Sequence, residues 1–81
     1  MNHSDTYRDY LVATNELLIE FAREAEEKIS RTRGTEEGKF DAGYVMGFHR
    51  VISLMQQQAD AFGFELADIG LEGIDPNRDL I

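Results

Sequence analysis

Two histidines, three tyrosines and one Asp-rich pentapeptide are the residues of this chain best suited to chemistry. Histidine titrates near neutrality and is the commonest metal ligand. His49 has Val45, Met46 and Ser53 at its i−4, i−3 and i+4 positions. It therefore lacks the Glu-x-x-His or His-x-x-x-His partner of a helix-borne metal site. On a helical wheel it falls opposite Phe40, beside Gln56 and Asp60, which predicts a solvent-facing ring. His3 lies among the first residues, where chains fray. Asp75-Pro76-Asn77-Arg78-Asp79 copies the opening of a calcium loop, but that loop needs Gly at its sixth position and Glu at its twelfth. The sixth residue here is Leu80, and Ile81 is the last. Tyr7, Tyr10 and Tyr44 could move a proton, yet they recur at the helical spacing of core aromatics. No Ser-His-Asp set, carboxylate pair or Gly-rich phosphate loop can be placed. The expectation is a non-enzymatic protein with no catalytic residue, no metal and no cofactor.

Other positions point to packing. Gly43 and Gly47 form G-x-x-x-G inside a helical pattern, at about 1 kcal/mol each against Ala. A flat glycine surface lets a backbone or bulky ring come close, which predicts close helix packing there. Gln58 interrupts the same apolar stripe, as Thr14 interrupts the earlier one. A polar residue in such a place can fix register or oligomeric state.

The elements that carry these residues follow from periodicity. A first helix is predicted from about Asp5 to Arg33, with Ser4 as N-cap and Gly34 as the stop. Tyr7, Tyr10, Leu11, Thr14, Leu17, Leu18, Phe21, Ala22, Ala25 and Ile29 occupy a stripe roughly 140° wide. Val12 and Ile19 make a separate small patch. A second helix is predicted from Glu36 or Lys39 to Phe62, capped by Thr35 and ended by Gly63. Its apolar residues, including Phe40, Tyr44, Val45, Phe48, Val51, Ile52, Leu54 and Met55, spread over roughly 200°. The linker Thr32-Arg33-Gly34-Thr35 is short, and short linkers make antiparallel neighbours. The fold class expected is all-α, an antiparallel two-helix hairpin with a short irregular or partly helical tail over 64–81. Gly70, Gly73 and Pro76 break that tail. It is expected to be ordered only in part, with Leu80 less protected than Ile69 and Leu71.

Composition narrows the partners. Sixteen acidic and eight basic residues give a net charge of −8, so direct contact with nucleic acid or an anionic membrane is not expected. There is no cysteine, no apolar run of membrane-spanning length and no signal-peptide pattern at the N-terminus. A single cytoplasmic domain is the expectation. A lone hairpin covers one stripe per helix, so a 200° stripe calls for another neighbour. A homodimer forming a four-helix bundle is expected, with Val12, Ile19, Gly43, Gly47, Phe48, Ile52 and Gln58 as packing or interface residues. The tail residues Phe64, Leu66, Ile69, Leu71 and Ile74 would wrap the bundle or be offered to another protein. The alternative is an acidic antagonist docking on a basic, nucleic-acid-binding protein surface.

Overall fold

Thr35 sets the turn of the hairpin. In the computed structural model, which describes residues 3–81 and side chains from Asp5 onward, its hydroxyl accepts from the Gly38 amide at 3.0 Å and donates to the Thr32 carbonyl at 2.6 Å. The cap ends α1 (His3–Thr32) and starts α2 (Glu36–Ala61). The Ser4 side chain, read as the first N-cap, lies outside the described residues, and α1 begins before it. Gly34, between the helices, has φ +86°, a conformation that residues with a Cβ rarely adopt. Gly38 is buried because α2 starts against α1: a Cβ there would overlap the Thr32 carbonyl oxygen. The corner is tied by Asp41, 4% exposed. It accepts from Thr32 Oγ1 at 2.8 Å and sits 3.5 Å from Lys28 Nζ. Glu37, hydrogen-bonded to Lys28 at 3.1 Å, and the Asp41 charge together raise the pKa of that ammonium.

The tail is irregular and partly helical, as expected, and it runs back along the whole hairpin; against expectation Leu80 is buried more deeply than Ile69. A 3-10 turn (Leu66–Ile69) packs on α1, and a short α3 (Pro76–Asp79) packs on α2. Ile81 reaches the hairpin corner beside Ile29 and Gly34. Leu71 and Leu80 are completely buried and Ile74 nearly so. The physical reason is room. Ala22 and Ala25 on α1 leave a trough against Val45 and Ile52 of α2, and Ile74 and Leu80 fill it.

An irregular segment laid on apolar helices must find donors for its carbonyls. Asn15, itself fully buried, donates to the Ile69 carbonyl at 2.6 Å. Gln56 Nε2 donates to the carbonyls of Leu71 and Ile74 at 3.1 and 2.9 Å. Arg23 donates to that of Gly73 at 2.6 Å. Gly70, with φ +78°, lies so close to α1 that a Cβ would come within 2.9 Å of the Val12 carbonyl oxygen. The Asp-rich pentapeptide is a helix start, not a metal loop. Asp75 caps α3 by accepting from the Asn77 amide, while Asp79 accepts from the Asp75 amide.

The molecule is a slab of 50 × 24 × 16 Å. Its thickness is that of one layer of helices, each about 10–12 Å across, with the tail spread over one side. Among the described residues there is no strand, and no helix is long and apolar enough to cross a membrane.

Candidate protein-interaction face

The side of the hairpin opposite the tail is open. Both apolar stripes are wider than one contact can cover, and the tail and the neighbouring helix take the same flank of each. On α2 the covered flank is Asp41, Val45, Ile52 and Ala59. What remains recurs at the spacing of one helical face: Phe40, Gly43, Tyr44, Gly47, Val51, Leu54, Gln58 and Phe62, all exposed. On α1 the covered flank is Asn15, Ala22 and Ala25, and the open one carries Tyr7, Tyr10, Leu17 and Phe21. The aromatic members at the two ends are the most exposed, from 69% for Tyr7 and Tyr10 to 72% for Phe40. The two helices share this side, because Leu11 of α1 lines one shallow recess of about 230 Å³ with Leu54, Gln58 and Phe62 of α2, and the start of the tail, Phe64 and Ile69, closes one end of it.

Local order on the face comes from stacking. Phe40 and Tyr44 stack with centroids 6.4 Å apart, and Tyr44 meets Phe48 edge-on at 5.1 Å. Such pairs stiffen a surface at low entropic cost. Gly43 and Gly47 lie on the same face of α2, exposed. Neither would bring a Cβ within 4 Å of any other atom, so the close packing expected at the glycines is not between α1 and α2. The pattern from Gly43 to Phe62 carries no acidic residue. Asp60, the acid within that span, lies on the tail side with Gln56 and Asp75.

The other residues singled out from the sequence divide as follows. Ile52 is fully buried within the hairpin, and Phe48 is half-buried against the same core. They serve packing inside one chain, so Ile52 is a helix-packing residue and not one available to a second copy. Val12 and Ile19 are half-buried beside Gly70 and Gly73 of the tail. Leu71 and Ile74 are consumed by the chain's own core and are not free for a partner; Leu66 and Ile69 are half-buried, and Phe64 is exposed against Phe62. Gln58 is exposed on the open face.

His49 lies at the surface, half-buried because α3 docks beside it: its Nε2 lies 3.0 Å from Asn77 Oδ1 in an exposed contact. The Asp79 carboxyl is held well below the usual carboxylate range by Arg78, which donates two hydrogen bonds to it, and by the Asp75 amide. The His3 side chain lies outside the described residues. Among the described residues no three His, Asp or Glu side chains converge as a metal site would need. Sequence reasoning missed Asn15, Gln56 and Arg23, which hold the tail. Their one signal is position, at the border of an apolar stripe where a polar head can turn inward. Comparison with protein-family models, curated proteins and solved structures finds no match to this chain.

Proposed function

We propose that this chain is a non-enzymatic protein-interaction module that works as a homodimer, the open faces of two hairpins meeting as a four-helix bundle. The observation that carries the reading is the uncovered apolar side of a one-layer slab. Domains are stable as two packed layers around a core, and here the second layer is absent on the side opposite the tail. The exposed side chains there amount to on the order of 1,000 Å². That exceeds the largest apolar patch of an ordinary monomer and matches one partner's share of a standard interface. The tail leaves this side uncovered, since Leu71, Ile74 and Leu80 are buried on the other side and only Phe64 and Ile69 reach its edge, beside Phe62.

A second copy fits the face better than a basic protein surface does. The α2 pattern from Phe40 to Phe62 carries no acid, so charge-driven docking would not use it. Salt separates the two readings. Two chains of charge −8 repel, so an apolar homodimer tightens as salt screens them, whereas docking on a basic protein weakens.

The test is light scattering coupled to size exclusion on the intact chain and on Leu54→Glu. Leu54 is 54% exposed, so the substitution leaves the hairpin core untouched. The expected masses are twice the 9.2 kDa chain for the intact protein and one chain for the variant, with the same helical circular dichroism. A one-chain mass for both at micromolar concentration refutes the reading.

A further inference from the structure

The open face of α2 is nearly a palindrome about Val51. Phe40 and Phe62 stand eleven residues either side of it, and Tyr44 and Gln58 seven either side. Gly47 lies four before and Leu54 three after. Intervals of three, four, seven and eleven residues all return to one helical face. When two identical helices cross antiparallel, residues at equal and opposite distance from the axis come level. Resting on the homodimer proposed above, we infer that the two copies pair α2 on α2, antiparallel, about a two-fold axis at Val51, with Leu54 of each copy seated on Gly47 of the other.

Each level of that pairing is complementary. At the ends, Phe40 of one copy meets Phe62 of the other, both about 70% exposed in one chain. Tyr44 meets Gln58, so the phenol and the amide can hydrogen-bond where each would otherwise interrupt an apolar contact. Nearer the axis, Leu54 falls one residue, about 1.5 Å along the helix, from the level of Gly47, a glycine whose missing Cβ faces open space. The glycine lets the two backbones approach closely, as small residues do at helix crossings. No charged residue belongs to this pattern; the nearest, Arg50, is exposed and lies about 100° around the helix from Val51, at the rim of the contact. A two-fold axis along the helices is the competing arrangement. It would set α1 against α2, and the symmetry of the α2 pattern would then have no role.

The chain contains no cysteine, so a thiol introduced by substitution reports its own contacts. Val51→Cys, mildly oxidised at micromolar concentration, is expected to give a disulfide-linked dimer on a non-reducing gel. A disulfide needs Cα atoms closer than about 7 Å, which an axial position allows. Gln58→Cys alone is expected to stay unlinked, because its two copies would lie roughly 21 Å apart along the helices. Mixing Gln58→Cys with Tyr44→Cys is expected to restore the link. A dimeric mass with Val51→Cys unlinked, or with Gln58→Cys linking to itself, overturns the pairing while leaving the homodimer standing. A one-chain mass for the intact protein overturns both.

Discussion

Leu80 follows a helix of a single turn in an otherwise irregular segment, yet it is completely buried. Its side chain fills the trough over Ala22 and Ala25, against Val45 and Ile52. Replacing buried Leu by Ala costs about 2–5 kcal/mol, from lost transfer energy and the cavity left behind. Leu80 caps a helix of a single turn, which can partly collapse into the gap, so Leu80→Ala should sit near the low end, about 2–3 kcal/mol. For a domain of this size each kcal/mol moves the melting temperature by about 4–8 °C, so a fall of roughly 10–20 °C is expected. Ile81→Ala is the control. Ile81 is 75% exposed, and its loss should cost under about 0.5 kcal/mol. Both variants are melted by far-UV circular dichroism at one protein concentration, because a dimer's melting point depends on concentration. If Leu80→Ala melts with Ile81→Ala and the parent, the tail is not part of the core and the account of the trough is wrong.

Gly47→Leu adds up to about 1 kcal/mol of helix propensity in space that is open within one chain. It should keep the far-UV spectrum and weaken self-association tenfold or more by occupying the seat of Leu54, about the cost of an overpacked contact; unchanged or tighter dimerisation in a dilution series would show that the glycine is not at the contact. Asp79→Asn tests the tail's charge. A carboxyl whose folded pKa is depressed adds stability above its unfolded pKa of about 3.9 and loses it as pH falls through the folded value. The variant should therefore melt below the parent at pH 7, with the gap closing progressively below about pH 4. A gap that stays constant with pH would mean that Arg78 and the Asp75 amide do not act through the charge.

Local rules were enough for the hairpin. Tyr7 to Ile29 and Phe40 to Phe62 follow a 3.6-residue period, Thr35 caps, Gly34 and Gly63 stop, and a linker of a few residues leaves antiparallel packing as the outcome. Those signals act over one or two turns, so they can be read one residue after another. The second helix's 200° stripe likewise announced that one neighbour was too few. A stripe has two flanks, however, and periodicity does not say which one is covered. That was decided by groups far apart in the chain: Asn15 reaching Ile69, Gln56 reaching Leu71 and Ile74, and two alanines leaving room for Leu80. Gly70, Gly73 and Pro76 correctly marked a broken segment. They carried no information on docking, because an irregular segment is held by donors on other elements and not by its own hydrogen bonds. The same docking turned Val45 and Ile52 inward and left Tyr44, Gly47, Val51 and Leu54 outside. The sequence thus determined that an apolar surplus exists, and the tertiary structure decided where it lies, since burial depends on what else arrives at the same place.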